Sequence, residues 1–209
     1  MAWVERSVGV YDRYLAARVR RDPSPVPDHV ALIITERDLL GPGAFETLER
    51  FLAWTMAFDA DRVSVYVSVL DPAVIPALRR SLDDVDAPVS MEVRGPDDPA
   101  PVTERIQVGI GLGGKHEFAA AVKSLADAVD TGEIAPDEIT PADIEDRLVF
   151  TDEPDLVIKT GAERLSDFMI WQSVYAELYF TDVNWRNFRR RDYLRALRDY
   201  QERKRRFGQ

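Results

Sequence analysis

The run from Pro154 to Trp185, PDLVIKTGAERLSDFMIWQSVYAELYFTDVNW, decides how the rest of the chain is read. It opens on an apolar strand (Leu156 to Ile158) and passes through a polar turn. An aromatic-loaded helix and a second short apolar run then follow. The turn sets Lys159, Arg164 and Ser166 at the carboxyl end of a buried strand, where open α/β sheets bind ligands. Guanidinium forks and ammonium point charges suit phosphate oxygens. Spacing alone does not separate that role from cations that solvate a surface turn.

Working outward, apolar runs bounded by Gly, Pro and Asp mark strands near residues 29–34, 62–70, 88–93, 105–110, 155–158 and 177–180. HVALII at His29 to Ile34 is continuously apolar, as expected in the middle of a parallel sheet. Helical periodicity covers Val4 to Arg20, Gly43 to Phe58, Val74 to Leu82, Glu117 to Asp130, Ile134 to Leu148 with Thr140 as N-cap, and Tyr193 to Arg206. Alternation of this kind predicts an α/β fold: a mostly parallel sheet flanked by helices. Residues 1–22 read as an amphipathic helix, with Val8, Tyr11, Leu15 and Val19 on one stripe, and 23–209 as one domain.

Composition narrows the setting. No apolar run approaches the roughly twenty residues that span a bilayer, and the first residues lack a signal-peptide apolar region, so a cytoplasmic protein is expected. Cysteine is absent, which excludes disulfides, thiolate metal sites and thiol nucleophiles. The net charge is −10, and the acidic, lysine-poor balance suits a salt-rich, haloarchaeal cytoplasm. The same balance argues against nucleic-acid binding. Basic residues nonetheless concentrate in the first and last helices, either as solvated faces or as attraction for diphosphates or anionic headgroups at a membrane surface. His29 reads as a structural residue at a strand start and His116 as a helix-turn residue.

The quoted run resembles the signature block of the cis-prenyltransferases, the undecaprenyl diphosphate synthase family. In that family a strand ends in Arg-Thr-Gly-Gly-Glu-x-Arg-x-Ser-Asn-Phe, followed by Trp-Gln and Ala-Glu-Leu-Tyr-Phe-Thr-Asp. Here Lys159, Thr160, Gly161, Glu163, Arg164, Ser166 and Phe168 match the turn, then Trp171, Gln172 and the unbroken Ala176 to Asp182. Gly111 to Lys115 stands where the family has Asn-Tyr-Gly-Gly-Arg, and Arg206, Phe207 and Gly208 fit its terminal Arg-x-Gly. The resemblance implies isopentenyl and allylic diphosphate substrates, with Lys159, Arg164, Ser166, Arg206 and Gly208 on diphosphate. It also implies magnesium with Glu177 as a ligand, and a dimer face around Trp171, Tyr175, Tyr179, Phe180 and Phe207. Glu177 equally fits an interface carboxylate.

The resemblance fails at the first strand. The family writes His-Val-Ala-Ile-Ile-Met-Asp-Gly-Asn, whose Asp holds magnesium on the allylic diphosphate; this chain reads Ile34, Thr35, Glu36, Arg37, Asp38. A neutral hydroxyl cannot replace an anionic oxygen ligand for a hard cation, and carboxylates replace the glycines that admit phosphate. The long helices that wall the family's hydrocarbon tunnel also have no counterpart between Leu39 and Val93.

Three functions are therefore carried forward. The first is a non-catalytic subunit similar to the Nogo-B receptor type, paired with a full-motif synthase, making no use of magnesium itself. The second is an active synthase condensing isopentenyl diphosphate onto an allylic primer with magnesium. The third is a homodimeric scaffold on the same fold.

Overall fold

The computed structural model describes residues 9–98, 100–161 and 169–207, the last four of these through their backbone only. Six strands form one sheet: β1 (His29–Thr35), β2 (Arg62–Ser68), β3 (Met91–Arg94), β4 (Ile106–Ile110), β5 (Leu156–Thr160) and β6 (Glu177–Thr181). Their order is β3-β4-β2-β1-β5-β6 and every neighbouring pair is parallel. Each strand lies within three residues of its expected bounds, and the sheet is wholly rather than mostly parallel.

The helices are α1 (Val10–Arg21), α2 (Glu36–Leu39), α3 (Ala44–Ala57), α4 (Ile75–Asp83), α5 (Gly114–Asp130), α6 (Pro141–Glu145) and α7 (Arg190–Phe207). One sheet face, with Val30, Leu32, Ile34, Val65 and Ile158, packs against Leu15 and Val19 of α1, Phe51 of α3, Leu78 of α4 and Leu197 of α7. The other face, with Ala31, Ile33, Tyr66 and Val157, packs against Val149, Phe150 and Met169. Strands covered on both sides need no polar alternation, which is why HVALII is continuous. Gly109 makes room on this second face, since a Cβ there would lie 2.8 Å from the Phe150 ring.

Three expectations are corrected. Ile134 to Leu148 is not one helix but a 3-10 turn (Pro136–Glu138) followed by α6. Pro136 and Pro141 lack the N–H that a helix interior requires, so each restarts the chain. Asp143 then caps the restart by accepting from Thr140 N at 2.8 Å. The aromatic segment after Met169 is a hydrogen-bonded turn, closed by Ser173 N on Met169 O at 2.9 Å, rather than a helix. Its Gln172 is drawn to partners outside the segment. The residues after β1, assigned no helix from the sequence, form α2.

Candidate functional site

Parallel strands present their carboxyl ends on one side, and there β1 delivers Thr35 and β5 delivers Lys159 and Thr160. Lys159 lies inside β5, opposite Ile33 of β1, and is 6% exposed, so it is a buried cation rather than a solvated turn residue. Its Nζ donates to Thr160 O at 3.3 Å. Burial pulls the ammonium below its ordinary range, and the nearby Asp38 carboxylate opposes that pull. The Thr160 hydroxyl beside it is buried with no hydrogen-bond partner among the described residues. A buried cation and a free hydroxyl at a strand end together suit an anionic oxygen ligand.

The end of β1 is closed by its own side chains. Thr35 caps α2: Asp38 Oδ2 accepts from Thr35 N at 2.9 Å and from Thr35 Oγ1 at 2.7 Å, while Thr35 Oγ1 accepts from Asp38 N at 3.3 Å. Such a reciprocal cap satisfies donors that a helix start leaves orphaned. Glu36 is buried and its Oε2 accepts from Leu70 N at 2.8 Å and Asp71 N at 3.3 Å, tying this turn to the one after β2. Both carboxylates that could stand in for the missing Asp already hold backbone amides. Turning either toward a cation would give up these part-buried hydrogen bonds. No group of three His, Asp or Glu suited to a metal ion occurs among the described residues. The donors at this strand end therefore do not fit magnesium.

Glu177 lies elsewhere. It opens β6 level with Leu156, at the amino end of the sheet, roughly 13 Å along the strand from the carboxyl end. Arg203 Nη1 meets its Oε2 at 3.2 Å. Within this chain Glu177 does not join Thr35 and Lys159.

The expected partner face divides. Tyr175 is 82% exposed and Phe180 38%, and Val174 and Ile170 are exposed as well. Trp171 instead stacks on Phe118 with ring centroids 5.6 Å apart and donates to Glu145 Oε1 at 3.2 Å. Tyr179, one residue before Phe180 and so on the opposite sheet face, packs partly buried against the core beneath α7. Arg164, Ser166 and Gly208 lie outside the described residues, as do the side chains of Arg206 and Phe207.

Two contributors were misjudged from the sequence: one was overlooked, and the other was read only as a carboxylate standing in place of a glycine. Glu117, near the start of α5, is buried, and its Oε1 accepts from Val149 N at 2.9 Å and Phe150 N at 3.1 Å. Gln172 donates to Phe150 O at 2.7 Å and reaches Glu117 Oε1 at 3.4 Å. Burial raises the Glu117 carboxyl, and these donors oppose the rise. The pair anchors the motif's Trp-Gln turn. Gly114 lets that turn come close, since a Cβ there would meet Met169 N and Ile170 N at 3.1 Å. The other is Asp38, which joins the β1 cap to the Lys159 charge. The Thr-x-x-Asp spacing was the available signal for this cap.

The architecture defines an open, doubly covered parallel α/β sheet with an anion-suited carboxyl end. Solved structures share it. Lavandulyl diphosphate synthase from Lavandula x intermedia superposes with a TM-score of 0.69 at 21% identity, covering 84% of this chain and 95% of that one. A probable undecaprenyl diphosphate synthase from Campylobacter jejuni gives 0.65 at 19% identity, covering 88% and 99%. A sequence profile described as putative undecaprenyl diphosphate synthase matches residues 100–208. The chain belongs to this prenyltransferase family. A tritrans,polycis-undecaprenyl-diphosphate synthase (geranylgeranyl-diphosphate specific) of Methanocaldococcus jannaschii is 49% identical over 108 residues, covering 49% of this chain and 39% of the relative. An isoprenyl transferase of Deinococcus radiodurans is 49% identical over 111 residues, covering 50% and 40%. The matched region thus spans about two fifths of these relatives' length.

Proposed function

We propose that the chain is an accessory subunit of a heteromeric cis-prenyltransferase, supporting polyprenyl diphosphate synthesis without ionising the allylic diphosphate itself. The observation that carries this reading is the closed end of β1. Thr35 stands where the family ligand would be, and the neighbouring carboxylates are bound to Thr35, Leu70 and Asp71. The resemblance to the Nogo-B receptor type supports it, with Lys159 in the Arg-Thr-Gly position.

In this reading the full-motif partner supplies the acidic ligand, the magnesium and the hydrocarbon tunnel. This chain supplies the exposed side chains of Tyr175 and Phe180 to the partner face, and Arg206, Phe207 and Gly208 serve the partner in trans. Lys159, with Arg164 and Ser166 in the turn that follows, holds a diphosphate at the end of β5.

A second reading is an active synthase. It is favoured by the 49% identity to proteins named as synthases and transferases over half of this chain, and it would require Glu177 to meet magnesium from across a dimer. The purified chain, given labelled isopentenyl diphosphate, farnesyl or geranylgeranyl diphosphate and magnesium, is expected to make no product. Co-expression with a full-motif homologue is expected to raise elongation, and Arg206→Ala to abolish the rise. Elongation by the solitary chain overturns the accessory role in favour of the second reading. A homodimer that neither elongates nor binds the homologue would leave only a scaffold.

A further inference from the structure

The buried cation at the end of β5 does not stand alone. Pairing sets Ile33 of β1 level with Lys159 of β5, and the two strands run in the same direction. Side chains alternate between faces, so Thr35, two residues beyond Ile33, shares a sheet face with Lys159 and lies roughly 7 Å nearer the carboxyl end. Thr35 holds Asp38 there. Asp38 Oδ2 accepts from Thr35 N at 2.9 Å and from Thr35 Oγ1 at 2.7 Å, and Asp38 N donates to Thr35 Oγ1 at 3.3 Å. The carboxylate cannot swing away without undoing the start of α2.

A fixed negative charge is thus built in where β5 offers a positive one. Burial lowers the Lys159 ammonium, and the Asp38 carboxylate raises it. Glu36 is bound on the opposite side, to Leu70 N and Asp71 N just past β2, the strand that flanks β1 away from β5. Asp38 is the carboxylate of this turn that serves the β5 side. An anion near both groups is drawn by Lys159 and pushed by Asp38, and each effect grows with the anion's own charge. Their partial cancellation leaves little preference for the more highly charged ligand.

We infer, on the reading that Lys159 contacts diphosphate, that Asp38 is the specificity-determining residue of this anion site. It is a resident counter-charge that keeps diphosphate on Lys159 weak and holds down the preference for diphosphate over monophosphate. In an accessory chain, such a counter-charge leaves the substrate free to exchange with the partner.

Calorimetric titration of the purified full chain with pyrophosphate and with orthophosphate tests this role. The wild type is expected to bind the two anions within about threefold of each other. Asp38→Asn, which keeps the size and one oxygen to accept from Thr35 N, is expected to tighten pyrophosphate about tenfold and orthophosphate about threefold. Asp38→Glu keeps the charge and should leave both near the wild-type values. Asp130→Asn makes the same change of charge at the far end of the 17-residue α5 and should shift neither. Lys159→Met in the Asp38→Asn background should abolish the gain. Pyrophosphate that binds Asp38→Asn no tighter than the wild type, while Lys159→Met weakens it, overturns the counter-charge and leaves the Lys159 contact standing. So does a wild-type preference for pyrophosphate well above tenfold, or an Asp130→Asn gain equal to that of Asp38→Asn. Binding that is absent from both proteins, or indifferent to Lys159→Met, removes the diphosphate contact itself and the role of Asp38 with it.

Discussion

The first and second halves of this chain build one sheet but differ in what they share with relatives. Residues 29–94 supply β1, β2 and β3; residues 106–181 supply β4, β5 and β6, with β4 seated between β2 and β3. The family profile matches only the second half, while the solved neighbours superpose over most of both. A parallel sheet asks of its strands only short apolar runs that bury both faces, which many sequences satisfy. Chemistry asks for particular side chains in turns, and at the end of β1 the turn's side chains cap one another.

The two halves are also soldered by polar and aromatic contacts, so the comparison can be tested by breaking them. Phe51 of α3 meets Trp185, Phe188 and Tyr193 edge-on at 5.6 to 6.1 Å, and Trp185 Nε1 donates to Ala44 O at 3.1 Å. Phe51→Ala is expected to cost about 4 kcal/mol in denaturant unfolding and to keep a single transition. Two separated transitions would mean that the halves are independent units.

His29 joins the halves at the other end of the sheet. Its Nδ1 meets Glu153 O at 3.0 Å and its Nε2 meets Ser64 Oγ at 2.8 Å, and burial lowers it from the usual 6.5 to about 4. The unfolded chain binds the extra proton between these values. Stability from neutral His29 is therefore complete above about pH 6.5 and is lost as pH falls toward 4. The loss is of order 3 kcal/mol, read from unfolding free energies across that window. His29→Asn should flatten the slope; an unchanged slope would assign it to other groups.

Each half also buries one glutamate that accepts from two consecutive amides: Glu36 from Leu70 and Asp71, and Glu117 from Val149 and Phe150. Glu117 additionally receives Gln172. Glu117→Ala is expected to cost about 3 kcal/mol and Glu36→Ala about 2, since the Glu117 donors are left buried and unpaired while those on exposed Leu70 and Asp71 can turn to water. Equal costs would show that the Gln172 contact adds nothing to the motif turn.

Much of this was legible in the sequence. Apolar runs located all six strands, because a buried strand has no alternative use for such a run. The Pro136 and Pro141 interruptions were visible too, but amphipathic periodicity across Ile134 to Leu148 outweighed them. Glu117 was hidden because nothing in a local pattern says that a helix glutamate will find the amides of residues 149 and 150. Thr35 was read for the ligand it lacks, although Thr-x-x-Asp is a cap signature and the same spacing at Thr140 was read as one.

Thr35 gives the smallest and sharpest test of the comparison. Its hydroxyl donates to Asp38 Oδ2 and accepts from Asp38 N, so Thr35→Ala removes a cap and nothing in the core. The expected cost is about 1 kcal/mol, measured as a shift of the denaturant midpoint with the slope unchanged. Elongation by a full-motif partner in complex with the variant should be unaltered, because the position only closes α2. Thr35→Ser, which can rebuild both bonds, should recover most of the stability. Were Thr35→Ala to leave stability untouched yet reduce elongation in the complex, the hydroxyl would belong to the reaction and not only to the cap.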